Sequence, residues 1–279
     1  MDSTHKVALV TGGSSGIGEC TVRELLDAGF VVYTAARRVD RMQPLAELGA
    51  HVFAMDVTDD ASMVSGVERI VEEQGRIDVL VNNAGYGSYG AVEDVPIDEA
   101  RRQFEVNVFG LARLTQLVTP HMRRQGAGRI VNISSIGGKF YEPFGAWYHA
   151  TKFAVEGFSD SLRMELAPHG IDVIIIEPGP IRTEWNEISR QSLQETSAGG
   201  AYEDQAKRVT RVLARAERPI MSSGPDTVAK KIVSAVLSNT PRARYPVGKG
   251  AGTIVRARKL LPDAAFDYIV KSMYLTRRS

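Results

Sequence analysis

The apolar residues of this chain fall into two alternating patterns. Short continuous runs at Val7–Val10, Val31–Ala36, Val52–Met55, Val79–Val81, Ile130–Ile133 and Val173–Ile176 are rich in Val and Ile and do not alternate with polar residues. Such runs predict strands covered on both faces. Between them, Gly18–Ala28, Ala61–Glu73, Ala100–Arg124 and Thr151–Ala167 carry helical patterns. Strand and helix in alternation require crossover connections, and therefore a parallel sheet. Right-handed crossovers place helices on both faces, which predicts a doubly wound α/β fold of the Rossmann type.

The regularity ends after Pro178. Residues 181–224 are polar, with Ser189, Gln191, Ser192, Gln194 and Ser197, yet they carry Trp185 and Ile188. A long irregular stretch in a compact domain is usually functional, so this segment is expected as an insertion over a binding face. A helix at Asp226–Leu237 and a strand near Arg244–Val247 resume the pattern. Residues 250–279 form a last amphipathic segment, interrupted by Pro262, in which Arg256, Arg258, Lys259, Lys271, Arg277 and Arg278 outnumber Asp263 and Asp267. It reads as a cap on the substrate cleft, or as a helix able to lie on an anionic membrane surface. No repeat or linker divides the chain, and residues 1–279 are read as a single domain.

Composition narrows the function more than the fold. A hydrophobic content of 43% with 24% charged residues is ordinary for a globular protein and excludes disordered and fibrous classes. The formal net charge of +1 gives no electrostatic footprint for a nucleic acid. No stretch reaches the about 18 uninterrupted apolar residues of a spanning helix, and no export signal precedes the first strand, so a cytoplasmic location is expected. The single cysteine, Cys20, allows no internal disulfide, and His5, His51, His121 and His169 show no ligand spacing. No metal is expected.

Thr11-Gly12-Gly13-Ser14-Ser15-Gly16-Ile17-Gly18 lies between the first strand and the first helix. Gly12 can take positive φ for the turn, while Gly16 and Gly18 let the backbone approach a pyrophosphate and the helix pack on the strand. The helix N-terminus, with Ser14, Ser15 and Ile17 around it, adds free N–H groups and a positive dipole end. A glycine-rich turn alone could be a tight connection, but its place in a strand–turn–helix unit favours a dinucleotide. No Lys-Ser/Thr pair follows the last glycine, which excludes a P-loop. The second strand ends without the acidic residue that usually binds the ribose of NAD, and runs into Arg37-Arg38. Guanidinium forks match a 2′-phosphate, so NADP(H) is expected over NAD(H), although two arginines opening a helix are also common on surfaces. Asp56, with Val57 beside it, could accept from the adenine amino group or serve as a turn residue.

Tyr148 and Lys152 open the helix that runs to about Ala167. At i and i+4 they share one helix face. An ammonium there could lower the tyrosine pKa and also reach a nicotinamide ribose. Tyr245 and Lys249 repeat the spacing, but Pro246 and Gly248 between them preclude a helix. Ser134 and Ser135 follow the strand ending at Ile133, at the carboxyl edge of the sheet where ligands bind. Asn107 is polar in an apolar helical stretch; it could hold a water linking Lys152 to solvent or be a satisfied structural amide. His149 points roughly 100° away from Tyr148 around the helix, which discounts it as the base.

These residues together resemble the short-chain dehydrogenase/reductase family, in its shorter single-domain branch. Thr11-Gly12-x-x-x-Gly16-x-Gly18, Asn82-Asn83-Ala84-Gly85, Asn107, Ser135, Tyr148-x-x-x-Lys152 and Pro178-Gly179 with Thr183 occur in the family's order, over about residues 6–185. The resemblance implies a sheet of order 3-2-1-4-5-6-7 and a homodimer or homotetramer associating through the two long helices. It implies that Tyr148 exchanges the hydroxyl proton and that Lys152 binds ribose and depresses the Tyr148 pKa. Ser135, thirteen residues before the tyrosine, would position the substrate oxygen, and Asn107 would hold the relay water. Asn83, Ala84 and Gly85 would pack beside adenosine, and Ile181 and Thr183 would meet the carboxamide. Arg37 and Arg38, with the stretch from Phe153 to Glu165, are similar to the hydroxysteroid and retinol dehydrogenase-like subgroup.

Phe140, Tyr141, Phe144, Trp147, Trp185, Ile188 and Met221 fall in segments expected to border the cleft. They would suit a bulky hydrophobic alcohol or carbonyl, or could simply pack the core. The function expected is NADP(H)-dependent interconversion of a hydrophobic secondary alcohol and its ketone. A 3-oxoacyl thioester reductase and a non-catalytic dinucleotide-binding regulator are the alternatives on the same fold. The intact Ser135, Tyr148 and Lys152 argue against the regulator.

Overall fold

The computed structural model describes residues 5–275. Val7–Thr11 (β1), Val31–Ala36 (β2), His51–Ala54 (β3), Val79–Asn82 (β4), Gly128–Ile133 (β5), Ile171–Pro178 (β6) and Arg244–Val247 (β7) pair in one sheet of order β3-β2-β1-β4-β5-β6-β7. Every pairing is parallel. The helices are Gly16–Asp27 (α1), Gln43–Ala46 (α2), Asp60–Gln74 (α3), Ile97–Phe104 (α4), Leu111–Gln125 (α5), Ala146–Leu166 (α6), Glu184–Ser197 (α7), Glu203–Ala216 (α8), Pro225–Leu237 (α9), Ala251–Leu260 (α10) and Asp263–Tyr274 (α11).

The continuous apolar runs are explained by burial on both sheet faces. Successive side chains of a strand point to opposite sides. Ala8 and Val10 accordingly join a core with Val22 and Leu25 of α1 and Val228 and Ile232 of α9. Val7 and Leu9 join the other core, with Val67 and Ile70 of α3 and Leu114 and Val118 of α5. The strand order reverses between β1 and β4, so the loops after β1, β4, β5 and β6 open together at the carboxyl edge, where such folds bind ligands.

Two expectations are corrected. Residues 181–224 are not an irregular loop: they fold into α7 and α8. The helical period is obscured because α7 buries serines where a core helix buries Leu or Val. Ser189 Oγ donates to the Gly87 carbonyl at 3.1 Å, and Ser192 Oγ lies 3.2 Å from Ser88 Oγ. The helix expected at Ala100–Arg124 runs from Ile97 to Gln125, interrupted by a wide π turn at Glu105–Gly110 that contains Asn107. Such turns concentrate at functional sites.

Residues 251–274 form α10 and α11 on either side of Pro262, with Phe266 and Val270 buried. Arg277 and Arg278 lie outside the described residues. No described helix is long and apolar enough to cross a membrane.

Candidate active site

The loops at the carboxyl edge enclose one continuous cavity of about 870 Å³, running from the glycine loop to α11. Gly12, Ser14, Ser15, Gly16 and Ile17 line its first end. Gly16 has φ +58°, a conformation that L side chains rarely adopt. Gly18 is buried behind the loop, where an added methyl would lie 2.3 Å from the Gly12 carbonyl oxygen. No side chain caps α1, which leaves its first N–H groups to a ligand. The Asn83 amide donates to the Thr11 carbonyl at 2.9 Å, and the Asn83 and Ala84 N–H groups donate to Thr11 Oγ1 at 3.1 and 3.0 Å. These bonds weld the Asn83–Gly85 stretch to the glycine loop. Small backbone, free helix N–H groups and a concave wall fit a dinucleotide pyrophosphate.

Arg37, Arg38, Asp56 and Val57 line the adjacent corner, together with Arg102, which the sequence reading missed. Arg38 leans toward Glu184 at 3.7 Å, and Glu184 also takes both oxygens to Arg41. Arg37 is exposed and makes no ion pair among the described residues. Burial pushes the Asp56 carboxyl up, but hydrogen bonds from the Thr58 N–H and hydroxyl, with Arg37 and Arg102 nearby, outweigh it and hold the group below its ordinary range. Asp56 is therefore a satisfied turn residue and a cavity wall at once.

Ser135, Tyr148 and Lys152 meet in the middle of the cavity. Ser135 caps the turn after β5, its Oγ accepting from the Gly137 N–H at 2.9 Å. Burial pushes the Tyr148 phenol up to about 12, while a hydrogen bond with Ser135 pulls the other way and the charge of Glu142 adds to the rise. Lys152 is buried, 5.9 Å from the centre of the Tyr148 ring, and donates to the Ile133 carbonyl at 2.9 Å. Burial brings its ammonium down to about 8, against the pull of Glu156. In the protein alone, desolvation is the leading influence on the Tyr148 phenol.

The match to known proteins covers the elements that build this site. Residues 6–194 fit the family model described as short chain dehydrogenase. The chain belongs to the short-chain dehydrogenase/reductase family. It is similar to a 3-ketodihydrosphingosine reductase of Bacteroides thetaiotaomicron, 34% identical over 98% of this chain and 99% of that one. An NADPH-dependent 3-dehydrocapnine reductase of Ornithobacterium rhinotracheale is 35% identical over 95% of each. Among solved structures, a short-chain dehydrogenase from Streptomyces avermitilis superposes with a TM-score of 0.80 at 33% identity, covering 96% of each chain. As a member of this family the protein is an oxidoreductase.

Other expected positions divide clearly. Pro178, Gly179, Ile181 and Thr183 line the cavity between its two ends. The Asn107 side chain does not meet Lys152. Its amide donates to the Tyr86 carbonyl and Thr151 Oγ1 at 2.8 and 3.1 Å, and its oxygen accepts from the Tyr86 N–H at 3.0 Å, so it braces the loop after β4 against α6. His149 accepts from the Glu142 N–H at its Nε2, and its Nδ1 faces the Gly137 carbonyl at 2.8 Å. It is a structural imidazole. Tyr245 and Lys249 do not come together: the Tyr245 hydroxyl accepts from the Arg242 N–H, and Lys249 Nζ donates to the Pro219 carbonyl.

Beyond Tyr148 the short-chain dehydrogenase cavity becomes apolar. Phe140, Trp185, Ile188 and Met221 line it as expected, joined by Leu213, Ile254 and Met273. Tyr141, Phe144 and Trp147 do not line it; Tyr141 packs on Phe266 and Phe144 on Tyr202. The basic C-terminal segment covers the cavity through Leu261, Phe266, Ile269 and Val270. Tyr89, Glu142 and Tyr274 also face the cavity and were missed.

Proposed function

We propose that the protein reduces a bulky apolar ketone to its secondary alcohol with NADP(H). The observation that carries this reading is the single cavity, in which a nucleotide-shaped end and an apolar chamber meet at Ser135, Tyr148 and Lys152. Gly12, Ser14, Ser15, Gly16 and Ile17 would hold the pyrophosphate, Asp56, Val57 and Asn83 to Gly85 the adenosine, and Pro178, Gly179, Ile181 and Thr183 the nicotinamide side. When bound, the dinucleotide supplies hydride chemistry at the substrate carbon. Ser135 Oγ positions the carbonyl oxygen. Tyr148, a neutral phenol with its pKa pushed up to about 12, holds a proton at neutral pH and gives it to that oxygen. Lys152 makes one hydrogen bond within the protein, which leaves two of its three N–H groups for the ribose hydroxyls. Its charge then faces the phenolate left by proton transfer. The two relatives named as reductases support the reductive direction. A screen of ketosteroids, retinoids, straight-chain ketones and 3-oxoacyl thioesters with NADPH tests the reading. Consumption confined to thioesters would replace it with the thioester alternative.

The preference for NADP(H) rests on Arg37, whose exposed guanidinium makes no ion pair among the described residues. A charge-assisted hydrogen bond contributes about 1.5–3 kcal/mol, so Arg37→Asp is expected to weaken NADPH binding by about 10–100-fold and to leave NADH binding nearly unchanged. Equal loss for both dinucleotides in a fluorescence titration would show that Arg37 does not read the phosphate.

The oligomer implied by the family is proposed to form along α5 and α6. Phe109, in the π turn before α5, is 55% exposed, and Phe153 and Met164 of α6 are 46% and 71% exposed; the latter two fall on one side of α6. Phe153→Asp is expected to yield monomers in sedimentation equilibrium. A wild-type protein already monomeric at micromolar concentration would exclude the interface.

A further inference from the structure

Two carboxyl groups are buried behind the active site. Glu156 sits one turn after Lys152 on α6, and Glu177 precedes Pro178 on β6. Their side chains are 5% and 1% exposed. Glu156 draws both nearby cations to one of its oxygens: Lys139 Nζ lies 2.7 Å and Arg244 Nε 2.9 Å from its Oε2. The same cations stand farther from Glu177 Oε1, at 3.9 and 3.6 Å. Glu156 Oε1 and Glu177 Oε1 are buried, and neither accepts a hydrogen bond among the described residues. Arg244 also pairs with Asp160, which Arg163 holds in turn. A buried carboxylate without hydrogen bonds is costly.

A proton between the two groups removes that cost. They lie within hydrogen-bonding reach of each other, and burial, followed by the Glu156 charge, pushes Glu177 up to about 7 against the pull of Lys139 and Arg244. Two ionised carboxylates are acceptors only, so a hydrogen bond between them requires one proton, and like charges sharing a site do not both ionise readily. The cluster also touches the active site from three sides. Lys139 closes the turn that begins at Ser135, its N–H donating to the Ile136 carbonyl at 2.9 Å. A methyl added to Gly138 in that turn would lie 2.9 Å from Glu156 Cγ, from the Lys152 carbonyl oxygen and from Ser134 Oγ. Pro178, next to Glu177, lines the cavity, and its carbonyl oxygen is 3.5 Å from Ser135 Oγ.

We propose that Glu156 and Glu177 share one proton near neutral pH and act as a single anionic unit that holds the Lys152 ammonium in the site. The inference rests on the reading of Lys152 as the group that binds ribose and faces the phenolate. Burial lowers the ammonium and the Glu156 charge opposes it. The Glu177 proton satisfies the orphan Glu156 oxygen and so keeps the full carboxylate charge on α6, one turn from Lys152. Glu156 does not line the cavity and acts only through Lys152, which makes it a positioning residue. The shared proton also marks stability. A carboxyl whose proton is held more tightly in the folded chain adds stability below its ordinary value of 4.5, and that contribution is lost as pH rises through about 7.

The test joins a melting series to a pH profile. Glu177→Gln keeps a donor toward Glu156 but has no proton to lose, so its Tm advantage over the wild type should grow as pH rises from about 5 to about 8. In the profile of kcat/KM for NADPH, Glu156→Gln removes the charge nearest Lys152 on α6 and should move the alkaline limb down by about one pH unit. Lys139→Met unscreens Glu156 and should move the same limb up. Glu156→Asp, which keeps the charge, should restore most of the wild-type limb and guards against misfolding of the glutamine variant. A merely structural role would slow the variants without moving the limb in opposite directions. A limb unmoved in Glu156→Gln and Lys139→Met, or a Tm difference constant across the pH range, would overturn the proposal and leave the ketone reading intact. A wild-type profile without any alkaline limb would overturn the reading of Lys152 and this inference with it.

Discussion

Tyr148→Phe is expected to lower kcat/KM for ketone reduction by about 10²–10⁴-fold, the usual contribution of a positioned acid. The substitution is nearly isosteric. It keeps the ring contacts with Tyr89 and Trp185 and removes only the hydroxyl, so dinucleotide binding and thermal stability should stay within error. No other group in the chamber is placed to replace the proton. The Tyr89 and Tyr274 hydroxyls are committed to Glu142, His149 has both nitrogens occupied by backbone groups, and Ser135 is too weak an acid to act alone. A variant retaining a tenth or more of the wild-type rate would move the proton donor elsewhere.

The second large effect separates activity from stability. Burial brings Lys152 from its ordinary value of 10.5 down to about 8. A depressed lysine binds its proton less tightly in the folded than in the unfolded protein. Below about pH 8 its burial therefore costs stability, by about 3 kcal/mol on the scale of 1.36 kcal/mol per unit, and the cost fades as pH rises through 8 toward 10.5. Lys152→Met removes the charge and fills the site with an apolar chain of similar length, at the loss of one bond to the Ile133 carbonyl. Its Tm at neutral pH should be equal to or several degrees above that of the wild type, while kcat/KM falls by about 10²–10³-fold, as for loss of a preorganised donor. The wild-type kcat/KM for NADPH should decline as pH rises through about 8, where the ammonium loses its proton. A profile flat to pH 10, or a variant both active and less stable, would remove Lys152 from the site.

What the sequence made legible follows from how local each signal is. Strands β1, β2 and β4 to β6 could be placed because they are largely buried on both faces and leave continuous apolar runs, whereas the edge strand β3 is only half-buried. The glycine loop and the Tyr148–Lys152 pair could be placed because their partners lie within one turn or one helix. The helices α7 and α8 could not be placed, since Ser189 and Ser192 pack against the backbone of Gly87 to Tyr89 about a hundred residues away and leave no apolar period. Glu142 was passed over for the same reason: its partners Tyr89 and Tyr274 are 53 and 132 residues distant. Spacing reveals the ammonium next to Tyr148 but not the depth of burial, which is the leading influence on its phenol.

The central claim is that nucleotide and ketone meet in one cavity at Tyr148. Its most direct test is to follow a deuterium label from the reduced nicotinamide of NADPH into product, with a long-chain ketone and the wild-type enzyme. The account predicts alcohol carrying the label on its carbinol carbon, formed in step with NADPH consumption, and essentially none from Tyr148→Phe. Unlabelled alcohol, or equal product from the variant, would contradict it.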